Sequence, residues 1–338
     1  MANFSASNLI KAQARIQSMF TEAERRTKVS PALTLAMKNL SILIPSHEVL
    51  RTREDRPVSG YMLTRSKRAA TTQRTYNHTG VRGDSKEIPF TWQTTGDKFT
   101  ISLKQMDNNI FGFEETLAAE IYNACLNIHE DIETKLLDYL LTNKTQVNNA
   151  TKNGTWSAEN HAFEIAADDK GTFYQRLKSM MRQNNYRGTY DIIADSLLSV
   201  AAEQLAAQGA GNATNTAFQF AGLNIAESIE LTDDTYENGV VLAMPAGGYA
   251  LQPWMPRQNR MGHGDYNSYV GGYGSIADPM GSGLQFAVHG YTQRADTSDD
   301  NGSEQDDVLE MEITMDFSPA LMPVSVENET VVFEVAQV

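Results

Sequence analysis

Cysteine is almost missing from this chain: Cys125 is the only one in 338 residues. No intrachain disulfide can form, which fits synthesis in a reducing compartment. Long apolar runs are missing too, so no segment reaches membrane-spanning length. The N-terminus has neither an apolar stretch nor a small-residue cleavage site, and no secretion signal is expected. Catalytic signatures are equally scarce. There is no phosphate-loop GK[ST], no H-E-x-x-H and no G-x-S-x-G. Gly272-x-Gly274-x-x-Ala277 is half of a dinucleotide fingerprint, but Asp278-Pro279 follows where a helix would have to open. Fitting the acidic turn at 296–307 to a calcium loop puts Thr297 and Val308 at ligand positions that neither can fill. The histidines (His47, His78, His129, His161, His263, His289) are scattered. His129 and Glu133 stand four apart on a helical stretch, but Leu126 occupies the place where a carboxylate-bridged metal site needs Glu. A surface helix pair is the expectation there. No enzymatic activity, cofactor or metal is expected, and Cys125 reads as a buried inert thiol.

What is present is one long periodic stretch, 111–147. Apolar residues recur at Phe113, Leu117, Ile121, Cys125/Ile128, Ile132, Leu136 and Leu140, in steps of four and three, the period of one helix face. Glu114, Glu115, Glu120, Glu130, Asp131, Glu133, Lys135 and Asp138 read as the solvated face. Glu114 and Glu115 place negative charge where the helix dipole favours it. About 35 residues make a rod of about 50 Å. Its charges exclude a membrane span, and it lacks the sustained 3.5-residue repeat of a coiled coil. A spine lying across a sheet is the expected form, with two shorter helices broken near Asn127 as the alternative.

Charge is divided unevenly. Residues 1–104 hold 17 Lys and Arg against 8 Asp and Glu, while residues 105–338 hold 11 against 34. The cationic part is richest from 51 to 86, where Arg51, Arg53, Arg56, Arg65, Lys67, Arg68, Arg74 and Arg82 stand among Thr, Gly and Ser with few apolar residues. Such a stretch has little to bury and reads as an extended two-stranded loop that projects and leans on a partner, or is disordered when alone. Only Tyr61 and Tyr76 could stack on bases, so a nucleic-acid sheet is disfavoured. Opposite in sign is the stretch around Asp299, Asp300, Glu304, Asp306 and Asp307. A chain that carries both halves of a charge pair is suited to meet a second copy head-to-tail.

In chain order, residues 1–46 read as an N-terminal arm with two anchor points, a weak helical face at Leu9, Ile16 and Phe20 and a segment opening at Ser30-Pro31. Residues 47–106 are the extended loop, ending in an alternating strand with Phe99, Ile101 and Leu103 on one side and a kink or turn at Thr95-Gly96-Asp97. Residues 107–186 carry the spine, a polar turn at 148–160 and a short helix at 173–182. Residues 187–300 alternate: strand 190–195, helix 196–208, a further strand after AFQFAGLNIAESIEL, and a strand ended by Met244-Pro245 with a turn at Gly247-Gly248. A Gly/Tyr-rich stretch at 261–283 reads as a long loop, and a strand resumes at 286–294. Residues 301–338 hold two alternating strands, 308–317 and 324–335, expected to return to the spine. The fold class is α+β.

This order of parts, with YDIIADSLLSVAAEQLAAQG, FQFAGLNIAESIEL and MPAGGYALQPWMPRQNR as its most characteristic text, resembles the major capsid proteins of tailed bacteriophages, the Hong Kong 97-like fold also used by encapsulins. The resemblance covers nearly the whole chain. It implies an N-terminal arm, an extended β-hairpin loop, a long spine helix with a peripheral β-sheet and an axial α/β domain. It also implies a homo-oligomer of hexamers and pentamers that encloses double-stranded DNA without sequence specificity, in a virion assembled in the host cytoplasm. An encapsulin-type shell around an enzyme cargo is the alternative. The arm is shorter than the cleaved scaffolding segments of some such proteins, so separate scaffolding and portal proteins are expected. No membrane is implied. The cations named at 51–82 and the carboxylates named at 299–307 are the expected contacts between subunits.

Overall fold

The computed structural model describes residues 6–20, 30–64, 74, 80, 83–102, 112–144, 154–208, 222–232, 235–296, 305–324 and 331–338. Among the described residues three helices open the chain: α1 (Ala6–Met19), α2 (Pro31–Leu43) and the short α3 (His47–Arg51). Ser30 caps α2, its hydroxyl accepting from the Leu33 N–H, and Pro31 sits at the first helical position, where a missing N–H costs nothing. The spine is α4 (Phe113–Thr142), continuous through Asn127. It opens at Gly112, whose N–H donates to the Glu115 carboxylate.

Burial along α4 is wider than one apolar stripe. Only Asn123, Asn127, Glu130, Thr134 and Asp138 form the exposed line down its middle. Two layers flank the helix. On one side lies an antiparallel sheet ordered β10 (His263–Asp265), β11 (Gly271–Ala277), β12 (Gln285–Asp296), β13 (Gln305–Leu321), β3 (Gln93–Ser102), with β9 (Tyr249–Trp254) pairing the far end of β13. Leu309, Met311, Ile313, Met315 and Phe317 alternate along β13 to face the helix. On the other side lies a mixed sheet ordered β4 (Thr155–Ser157), β5 (Ala162–Ile165), β14 (Phe333–Gln337), β8 (Val240–Pro245), β6 (Tyr190–Ala194), β7 (Leu223–Glu227). Ile193, Val240, Leu242 and Ala336 of this sheet join the spine's core. Tyr190, Ile192, Val241, Phe333 and Val335 point the other way, onto α5 (Phe173–Gln183) and α6 (Ser196–Gln208). Both faces are covered, which is why these strands read as unbroken apolar runs such as VVLAM.

Several sequence expectations are corrected. The arm is not merely tethered: Leu9, Ala12 and Ile16 of α1 and Ala32, Leu33, Leu35 and Ala36 of α2 lie in the main core. Thr95-Gly96-Asp97 makes no turn but runs straight through β3, and a Cβ on Gly96 would lie 2.8 Å from the Ile313 carbonyl oxygen of β13. Much of the Gly/Tyr-rich stretch is strand rather than loop. Tyr266 lies against Gly272, Gly274 and Gly290, each of which would press a Cβ onto its ring or hydroxyl. β10 pairs β11, β11 pairs β12 and β12 pairs β13 on one flank of the spine, whereas β14 joins β8 and β5 in the sheet on the other.

The close approach at Gly96 gives a direct test. Gly96→Val should lower unfolding free energy by about 1–3 kcal/mol, the usual cost of overpacking, as read from denaturant midpoints. An unchanged midpoint would mean that β3 and β13 do not approach there.

Candidate functional site

The described part of the extended segment is anchored at its base. β1 (Ser59–Thr64) pairs β2 (Asp84–Pro89) as an antiparallel ribbon that belongs to neither large sheet. One face is held: Ile88 is buried with Leu40, Leu43, Ile44, Leu50, Ala250 and Ala320, and Met62 and Phe90 pack against them. The other face is open. Tyr61 stands opposite Glu87 and Leu63 opposite Ser85, and Val58, Tyr61 and Leu63 are 80%, 62% and 80% exposed. Tyr61 and Leu63, two residues apart on β1, stand in water on that face, and Val58 just before the strand is exposed as well.

The ribbon's root is braced by polar contacts. Arg56 donates to the Asp316 carboxylate at 2.7 Å and stands over the Trp254 ring at 5.6 Å, a charge pair reinforced by a cation–π contact. Thr94 donates to the same carboxylate. The indole of Trp92 donates to the Pro57 carbonyl, and Trp254 and Arg260 donate to the Arg53 carbonyl. Beside this root lies a cavity of about 290 Å³ lined by Met37, Leu40, His47, Arg51, Trp254 and Leu284.

The expected contact residues separate into three groups. Arg51 and Arg56 are engaged within their own chain, Arg51 with the Gln285 side-chain carbonyl at 2.9 Å and Arg56 with Asp316. Arg53 and Arg74 are exposed, and Asp307 is half-buried at its register position opposite Arg294. Arg65, Lys67, Arg68, Arg82, Asp299, Asp300 and Glu304 lie outside the described residues, as does the side chain of Asp306. The structure therefore brings none of these carboxylates to these cations within one subunit, among the described residues.

The surface pair expected at His129 and Glu133 is instead buried, because each meets a distant partner. His129 Nε2 lies 2.9 Å from Asp278, and neither side chain has any exposure. Burial alone would raise the Asp278 carboxyl, but hydrogen bonds from His129, Ser282 and the Met280 N–H hold it below the usual aspartate value. Glu133 accepts from the Ser30 hydroxyl, the Ala32 N–H and the Ser228 hydroxyl, which ties the start of α2 and the end of β7 to the spine. Burial pushes its carboxyl up despite those bonds. A third buried carboxylate, Asp191, accepts from Asn39 of α2 at 2.7 Å and from Asn224 of β7 at 2.8 Å. These three were missed from sequence because their partners lie 33 to 152 positions away. The one local hint was that Cys125, His129 and Glu133 repeat at four-residue spacing along the apolar side.

Chemically these groups fasten the fold. The His129–Asp278 pair is sealed from any substrate. Burial raises the Cys125 thiol well above its ordinary value, which removes it as a nucleophile at neutral pH. No group of three or more His, Cys, Asp or Glu placed to hold a metal exists among the described residues. No described helix is long and apolar enough to cross a membrane.

No family model matches the chain, and no curated protein matches it. Among solved structures it is similar to one from Mycobacterium phage Adephagia (10% identity, TM-score 0.49, covering 83% of this chain and 86% of that one). It is similar to another from Mycobacterium phage Bobi (10%, 0.47, covering 87% and 90%). A third is described as the asymmetric unit of the bacteriophage PhiM1 mature capsid (13%, 0.40, covering 84% and 83%). At TM-scores below 0.5 these likenesses carry no argument, so function has to be read from this chain's own residues.

The two shifted carboxyls give opposite pH signatures. Glu133 titrates higher folded than unfolded, so the folded state holds the extra proton and stability falls as pH rises above the ordinary glutamate value. Asp278 titrates lower folded than unfolded, so its contribution is present above the ordinary aspartate value and is lost as pH falls through the depressed one. In denaturant unfolding followed against pH, Glu133→Gln should flatten the decline on the alkaline side and Asp278→Asn the loss on the acid side. Glu133→Ala, which orphans three donors, should cost more than about 2 kcal/mol at any pH.

Proposed function

We propose that this chain is a shell-forming coat protein, the major capsid protein of a tailed double-stranded DNA bacteriophage. In this reading it assembles through hexamers and pentamers into an icosahedral head around the genome, in the host cytoplasm, with separate scaffolding and portal proteins. The observation that carries the reading is the β1–β2 ribbon. This ribbon is rooted on one face through Ile88, Met62 and Phe90 and leaves Tyr61 and Leu63 in water on the other. A two-stranded ribbon is marginal alone and gains stability when its free face meets another surface.

Charge supports the same partner. The connection between β1 and β2 carries Arg65, Lys67, Arg68, Arg74 and Arg82 and no carboxylate, while 296–312 carries eight carboxylates and no Lys or Arg. Opposite charges at different places on one molecule favour a head-to-tail contact, and such contacts close into rings when the rotation permits. Charge pairs of this kind fix register and steer encounter more than they add net stability. The roles at the root then divide: Arg56 and Arg51 hold the ribbon on its own subunit, and the cations further out reach the neighbour.

The double variant Arg65→Glu with Lys67→Glu should keep the monomer's unfolding midpoint and abolish large particles in negative-stain images. Normal particles from that variant would defeat the contact.

A further inference from the structure

The hairpin turn at the β10 edge of the antiparallel sheet holds apolar side chains in water. Between β10 and β11, Tyr269 is 86% exposed and Val270 76%. The turn itself is fixed. The Asp265 carboxylate accepts from the Asn267 N–H at 3.0 Å. The Ser268 N–H donates to the Asp265 carbonyl at 3.0 Å, and the Gly271 N–H donates to the Ser268 carbonyl at 3.1 Å. Beneath the turn the Tyr266 ring is buried against Gly272 and Gly290, and the Thr292 N–H donates to the Tyr266 carbonyl. Turns in water ordinarily carry Gly, Asn, Asp or Ser. Here a held turn puts a tyrosine and a valine at its tip, and tyrosine is the kind of side chain enriched where proteins meet.

The cavity at the ribbon's root lies at the other end of β11. Its wall includes Gln285, which pairs Ala277 at the end of that strand, whereas the turn leads into Gly271 at its start. β11 runs about 20 Å between them. At about 290 Å³ the cavity is smaller than most small-molecule sites but has room for one aromatic side chain. Leu40, Met255 and Leu284 give it a buried apolar wall. Ser41, Glu48, Arg51 and Gln285 add donors and acceptors, and a phenol hydroxyl can use both. The signs also match. Asp265 is the only Asp, Glu, Lys or Arg in residues 261–270, and the one Lys or Arg in the cavity wall is Arg51.

We propose that the Tyr269–Val270 tip of one copy seats in the ribbon-root cavity of a second copy. The inference rests on the shell reading and deepens it by adding a second contact, apart from the ribbon's open face. A knob at one end of a strand and a socket at the other cannot meet within one subunit. Between copies they make a heterologous contact, the kind that closes into a ring when the rotation permits. One tyrosine and one valine bury too little to hold two subunits together alone. The tip therefore fixes register alongside the ribbon: its fit into a shaped site sets how far one copy is displaced from the next.

The test uses the full chain with one cysteine on each side of the contact, Val270→Cys and Ser41→Cys, which leaves Tyr269 as the knob. Both positions are exposed, and the native Cys125 is buried. The two sites are too far apart to join within one chain, since a disulfide needs its Cα atoms within about 7 Å. Preparations are imaged by negative stain, oxidised with diamide and run on a non-reducing denaturing gel. A ladder of covalent oligomers from the double variant, with neither single variant giving a dimer, is the expected result. Tyr269→Ser should abolish the ladder, and Ser41→Trp, which fills the cavity mouth, should raise the concentration needed for assembly about tenfold, the loss of one modest contact. A dimer from Val270→Cys alone would mean that tips meet tips, and that overturns the inference. Particles that give no ladder overturn it too while leaving the shell reading intact. A ladder from small oligomers without particles keeps the contact and defeats the shell, and neither particles nor ladder defeats both.

Discussion

Everything in this molecule answers to the spine helix, which cannot be covered from one side. Of its thirty residues, thirteen are buried, and they wrap far enough around the axis to require a layer on each flank. The antiparallel sheet centred on β13 supplies one and the mixed sheet supplies the other, with α1 and α2 filling the space between. The helix also buries an imidazole and a carboxylate, so apolar packing alone could not close the core. Asp278, Ser30 and Ser228 have to arrive at fixed places along it. Packing and hydrogen bonding together set where the N-terminal helices and the strand ends must stop.

That closure makes the ribbon conspicuous. Its inner face contributes Ile88 to a small satellite core, and Arg56, Asp316, Trp92 and Trp254 lock its root. Among the described residues nothing covers Tyr61 and Leu63. In the proposed reading, the surface that covers Tyr61 and Leu63 belongs to a second copy of the chain.

Legibility in the sequence followed the range of the interactions. The spine and helix α6 were readable because their signals are local: apolar steps of three and four, and a strand that passes directly into a helix at Ser196. The start of α2 was readable from Ser30-Pro31. The Gly/Tyr-rich stretch was misread because its glycines make room for the Tyr266 ring across paired strands rather than giving flexibility. His129 and Glu133 were placed in water because charge at helical spacing ordinarily lies there, and only their partners far along the chain explain their burial. Sheet membership was the least readable: nothing local sends β14 to β8 while β12 goes to β13. The projecting segment was seen as sparse and cationic, but its root was not, since Arg56 meets Asp316 260 positions away.

Amide hydrogen exchange of β1 and β2, in the isolated subunit and in the assembled particle, probes the central claim most directly. The account predicts that the amides around Tyr61 and Leu63 exchange quickly in the subunit and become strongly protected in the particle, while those of the spine helix are slow in both. Equal protection of the ribbon in the isolated subunit, or no change on raising concentration to levels where particles form, would contradict it.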